Sequence, residues 1–226
     1  MDHLFCMTII WIPGKYTILK KPPNVFRQSL PTKIYDALLG LESGIITPEH
    51  SSMTWNGDAF PFPSWEADQD LNSAMQNSVN WYFQAIDSQL GINRVQEFLN
   101  KIEYGNQTTS SNLDLYWSDF SLKISPLEQV TLLKKFNTNE FHLNSQNVFS
   151  VKNAIKIAST PNGNFYGKTG TGRVNGQDIN GWFIGYVETS DNSYYFATNI
   201  QSDSNATGKK AFEITSDILK KLHIWN

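Results

Sequence analysis

Lys168, Thr169 and Gly170 stand together in the run Tyr166-Gly167-Lys168-Thr169-Gly170-Thr171-Gly172, and the apolar strand Trp182 to Val187 follows ten residues later. A lysine fixed beside a hydroxyl and a glycine on a sheet edge holds a substrate carboxylate next to an attacking group, which is what serine acyl transfer requires. Other groups with chemical capacity lie upstream. Ser78-Val79-Asn80 follows Ala74-Met75-Gln76 at the start of an aromatic helix. Tyr104-Gly105-Asn106 and the segment Leu115 to Val130, which carries Trp117, come next in order. Lys33 opens the helix-forming run Ile34-Tyr35-Asp36-Ala37-Leu38-Leu39. Taken singly, each has a plain structural meaning. The Lys168 triplet is then a strand turn, Lys33 a solvated helix lysine, Ser78 a helix N-cap, Trp117 a core aromatic and Tyr104-Gly105-Asn106 a turn.

The elements that must position these groups are mixed α and β. Ile34, Leu38 and Leu41 at helical spacing predict a helix over Lys33 to Leu41 that ends near Gly44. Ser51 to Asp70, with Trp55, Pro61, Pro63 and Trp65, reads as a loop, and Asn72 to Gln89 and Val95 to Lys101 read as helices. Ser125 caps a helix over Pro126 to Phe136. A short helix after Ser150 precedes three strands around Phe165 to Lys168, Trp182 to Val187 and Tyr194 to Ile200, and Lys209 to Leu222 closes the chain as an amphipathic helix. Adjacent strands followed by a terminal helix predict an α+β fold, an antiparallel sheet covered by helices.

The chain has 226 residues, enough to bury a sizeable core in one domain with two lobes. A net charge of -3 gives no footing for nucleic acid. The lone Cys6 makes no internal disulfide, and His3, His50, His142 and His223 have no metal-ligand spacing. No stretch approaches the length of a membrane-spanning helix, and Phe5 to Trp11 lacks the basic flank and cleavage site of a signal peptide.

From Lys33 to the C-terminus, about six-sevenths of the chain, the four motifs in this order resemble the penicilloyl-serine transferases, and among them the sensor domain of the BlaR/MecR-type β-lactam receptors. Those domains share their fold with class D β-lactamases, so the resemblance implies an antiparallel sheet flanked by helices plus a helical lobe, lying outside the cytoplasmic membrane. It implies β-lactams, penicillins and cephalosporins, as ligands, and no cofactor or metal. In that family Lys33 would be the general base, carried as a carbamate formed with carbon dioxide and enclosed near Trp117. Ser78 would relay a proton to the β-lactam nitrogen. Lys168 would supply positive potential, Thr169 and Thr171 would bind the drug carboxylate beside Gly170, and the backbone N–H of Thr171 would serve the oxyanion hole. Asn80 separates sensor from hydrolase. Class D enzymes carry valine there, protecting the carbamate that activates deacylating water, whereas the receptors carry a polar group and keep their acyl-enzyme. For the intact form the sensor reading leads and a class D hydrolase is the alternative, while a third reading, a catalytically dead product, leads for the chain as written.

The departure from the family is at the nucleophile. Three residues before Lys33 the S-x-x-K serine is replaced by Leu30, Ser29 is one residue too far, and Pro31 drives residue 30 away from helical geometry. Ser29 to Ile34 is encodable with a run of five adenines, and deleting one of them restores S-T-Y-K-I. Carried upstream, the shifted frame permits G-S-F-V-L-Y-D from Met1 to Thr8 and D-T-W-K-I-Y-N from Trp11 to Thr17, segments that resemble the first two strands of the receptor domains. The expectation is that residues 1–32 are an out-of-frame segment, poorly ordered or loosely attached, joined to a transpeptidase-like domain over 33–226.

Overall fold

The computed structural model describes residues 5–20, 32–109 and 121–225. Six strands among them, β1 (Phe5–Ile12), β2 (Lys15–Lys20), β3 (Lys156–Thr160), β4 (Gly163–Val174), β5 (Gln177–Thr189) and β6 (Ser193–Gln201), form one antiparallel sheet in the order β2-β1-β6-β5-β4-β3. The helices are α1 (Lys33–Glu42), α2 (Leu71–Gln76), α3 (Asn80–Leu90), α4 (Ile92–Lys101), α5 (Pro126–Asn137), α6 (Ser145–Ala154) and α7 (Gly208–Lys221). The α+β expectation holds.

Successive residues of a strand point to opposite faces, and here both faces are covered. Ile10, Phe165, Phe183, Val187, Phe196 and Ile200 pack under α7 with Ala211 and Leu219. Ile9, Tyr166, Ile184, Tyr186 and Tyr195 face the helical lobe, in one cluster with Leu38, Phe83 and Leu133. At the centre of that lobe, α1 is buried on all sides from Lys33 to Leu41, which explains why its apolar residues exceed a single stripe.

Several local expectations are met. The capping box of Ser125 and Glu128 starts α5, and the helix over Lys33 to Leu41 runs one residue further. Others are corrected. The helix predicted over 72–89 is two helices broken at Asn77–Val79, and the one placed after Ser150 begins at Ser145, where the Asn144 side chain accepts from the Gln146 N–H. The edge strand β3 was not anticipated.

The largest correction concerns the N-terminus. Residues 5–20 are not loosely attached, because β1 pairs with β6 from Phe5↔Gln201 to Trp11↔Tyr195 and lies between β6 and β2. Ile9 and Ile10 are buried on opposite faces, Thr8 and Thr198 share a hydroxyl hydrogen bond of 3.0 Å, and Trp11 packs on Tyr195. Sheet pairing asks for extended backbone and for apolar side chains on the covered faces, so an apolar, β-branched run of the right length suffices for a sheet position. β2 forms the edge, with Tyr16 and Ile18 about half exposed. Leu30 and Ser29 lie outside the described residues.

Tyr104-Gly105-Asn106 is a structural joint. Gly105 has φ +49°, and a Cβ there would stand 1.9 Å from the Lys123 carbonyl oxygen. Asn106 donates to Ser121 O and accepts from the Lys123 N–H, both at 2.8 Å. Gly105→Ala should therefore cost about 2 kcal/mol or more, since it combines left-handed strain with a backbone clash, and urea denaturation would read the loss. A change below about 0.5 kcal/mol would contradict that account.

Candidate active site

Two lysines singled out by sequence converge at one serine. Ser78 sits in the break between α2 and α3, with φ +55°. The Val79 N–H reaches Ala74 O and the Ser78 N–H reaches Met75 O, the paired bonds of a Schellman stop, with serine at the left-handed position that glycine usually fills. Such a conformation costs on the order of 1 kcal/mol, and its result is geometric. It turns the Ser78 carbonyl toward Lys33 and its hydroxyl toward Lys168. The N-cap of α3 is Val79, so Ser78 is not the cap that it resembles in isolation.

Lys33 donates from Nζ to Ser78 O at 2.8 Å and to Asn80 Oδ1 at 2.6 Å, and lies over the Phe83 ring at 5.5 Å. Lys168 donates to the Ser78 hydroxyl and to Thr169 O. The two lysines are only 7% and 5% exposed. Burial, and then the Lys168 charge, push the Lys33 pKa well below its ordinary value against an opposing pull from Asp36. Burial alone lowers Lys168 to about 8. Lys33 is thus biased toward the uncharged amine that a general base or a carbamate requires, while Lys168 remains mostly cationic at neutral pH.

Among the described residues, the wall opposite Ser78 is the edge of β4 left free beyond β3. Pairing with β3 ends at Tyr166, and Gly167 sends its N–H outward to Ile155 O. Backbone groups alternate sides along a strand, so the N–H groups of Thr169 and Thr171 face that same open edge. The Thr171 hydroxyl accepts from the Gly208 N–H at 2.9 Å, which leaves its proton to donate to a ligand. Gly208 opens α7 against this strand. A Cβ there would come within 2.7 Å of Gly170 O, so only glycine lets the helix N-terminus approach so closely and add its positive potential.

Lys33, Ser78, Asn80, Thr169, Gly170 and Thr171 line a single cleft of about 440 Å³, large enough for a drug-sized molecule. Trp117 lies outside the described residues. The rim holds groups that the sequence reasoning did not assign. Phe62, Ser64 and Trp65 come from the aromatic loop, and Arg173 and Asp178 face each other across the β4–β5 hairpin. A signal for the latter existed, because Asn175-Gly176 is a two-residue hairpin turn that places its flanking residues in register. Among the described residues no cluster of His, Cys, Asp and Glu could hold a metal ion.

The site combines a buried lysine pair on a strained serine with a strand edge at a helix N-terminus, and the chain belongs to the penicillin binding protein transpeptidase domain family, which matches residues 32–220. Among its relatives, the Regulatory protein BlaR1 of Bacillus licheniformis is 47% identical over 213 residues, covering 93% of this chain. The chain spans about a third of that protein, 35% of its length. The solved C-terminal domain of the Bacillus licheniformis BlaR penicillin-receptor superposes with a TM-score of 0.94 at 43% identity, covering 99% of this chain and 92% of that one. A class D β-lactamase from Bacillus subtilis follows with a TM-score of 0.91 at 32% identity, covering 99% and 94%. The likeness to the receptor domain is therefore the stronger in both sequence and shape.

Proposed function

We propose that this is a β-lactam recognition domain of the sensor type, which in its serine-bearing form is acylated and keeps the adduct, and which as written recognises the drug reversibly. The observation that carries this reading is the 2.6 Å hydrogen bond from Lys33 to Asn80 Oδ1. An amide oxygen at that point favours a lysine with N–H groups to donate. By holding the amine directly, and by placing a polar group where an apolar one would shield a carbamate, Asn80 disfavours hydrolysis by a carboxylated lysine. Lys168, Thr169 and Thr171, with the α7 N-terminus behind them, supply the carboxylate anchor, and Ser78 supplies the proton relay. Leu30 leaves the S-x-x-K position without a nucleophile. An out-of-frame origin of residues 1–32 accounts for that loss, and residues 33–226 carry the recognition machinery.

Titration calorimetry with benzylpenicillin tests the reading. Binding to the chain as written should weaken at least about tenfold in Lys168→Ala, since a charge-assisted hydrogen bond in a buried site is lost. In the parent protein it should also weaken as pH rises through about 8, because Lys168 then loses the proton that attracts the carboxylate. Affinity that is unchanged by the substitution and by pH would exclude this cleft as the carboxylate site.

A further inference from the structure

The mouth of the cleft differs in kind from its floor. Its deep amine, Lys33, and Lys168 on the far side of Ser78 are committed to Ser78 and Asn80. Arg173 is a cation at the mouth of the same cleft, 61% exposed, and its Nε donates to Asp178 Oδ1 at 2.7 Å. That single bond leaves the guanidinium's terminal N–H groups available in a planar fork suited to a second carboxylate. Asp178 is fixed independently, since its backbone carbonyl accepts from the Ala206 N–H and its place in the hairpin is set by pairing with Arg173. The aromatic part of the rim is fixed as well. Trp65 donates its indole N–H to Asn77 O, Trp81 donates to Trp65 O, and the Phe62 ring lies 5.2 Å from Trp65. The mouth therefore offers rigid aromatic faces and a partly engaged guanidinium, beyond the anchor that holds the first carboxylate.

Resting on the β-lactam reading above, we infer that Arg173 is a specificity-determining residue that favours β-lactams whose acyl side chain pairs an aromatic ring with a second carboxylate. The ring covers Trp65 and Phe62, and the side-chain carboxylate takes the free edge of the Arg173 guanidinium. Asp178 competes with that carboxylate for the same cation and tempers the preference.

The test compares reversible binding of benzylpenicillin with that of its α-carboxybenzyl analogue, two ligands that differ by one carboxylate, at low ionic strength. The dianionic ligand should bind about fivefold more tightly, the scale of a solvent-exposed ion pair. Arg173→Gln should bring the ratio of the two affinities to about one, and Asp178→Asn should widen it by removing the competitor. Added salt should narrow the preference. Equal affinities in the parent protein, or a preference that survives Arg173→Gln, would overturn the inference while leaving the carboxylate anchor at Lys168 intact. Failure of both ligands to bind would instead remove the β-lactam reading, and this inference with it.

Discussion

Incubated with a fluorescent penicillin, the chain as written is expected to show no covalent adduct, whereas a version restored to S-T-Y-K, with the in-frame sequence of its upstream strands, should be labelled stoichiometrically. The physical reason is the absence of a nucleophile at the one position that the remaining machinery is built to serve. Lys33 opens α1, and Leu30, which takes the serine's place in the S-x-x-K sequence, offers no atom that can attack a carbonyl. Loss of a serine nucleophile alone lowers turnover by about a millionfold in a serine hydrolase, so the contrast should be close to all or none on an intact-mass measurement. Lys168, Thr171 and the α7 N-terminus would still bind the drug carboxylate, and reversible affinity should persist without the adduct. A stoichiometric adduct on the written chain would show that another hydroxyl, Ser29 first among them, performs the attack.

In the restored protein, Asn80→Val should raise steady-state β-lactam turnover by about 100-fold, the lower end of what a positioned general base contributes, while leaving acylation largely intact. Asn80 Oδ1 now takes one of the Lys33 donors. With valine the lysine loses that acceptor and gains apolar surroundings beside Phe83, which favours the uncharged amine and then the carbamate that activates deacylating water. Burst kinetics separates the two steps, since the burst amplitude reports acylation and the slope reports deacylation. Rapid turnover in the restored protein with Asn80 still in place would reverse the assignment in favour of a class D hydrolase.

How far the sequence was readable differs from element to element. Lys168-Thr169-Gly170 was legible because its glycines and flanking apolar residues mark a strand, and strand periodicity is local. The cap of α5 was legible for the same reason. Ser78 was legible as a residue but not as a conformation, because a serine after a short helix resembles the start of the next one, and only the two backbone bonds of the Schellman stop reveal the left-handed turn. The N-terminal strands were not legible, because a departure from family sequence is not a departure from sheet structure. Pairing of β1 with β6 asks only for extended backbone and apolar residues on both faces, which Thr8-Ile9-Ile10-Trp11 provide.

By itself, then, the sequence determined which groups are present and in what order: an amine at 33, a hydroxyl and an amide at 78 and 80, a cation at 168, two hydroxyls at 169 and 171, and no nucleophile at 30. Only the tertiary structure decided that Lys33 and Lys168 meet on the two sides of one serine, across 45 and 90 residues of chain, and that Arg173 and Trp65 share the mouth above them. Helix and strand patterns follow from neighbours a few residues apart. The convergence follows from how buried α1, the strained turn at Ser78 and the open edge of β4 pack together, and the same burial that brings the lysines together lowers their proton affinities.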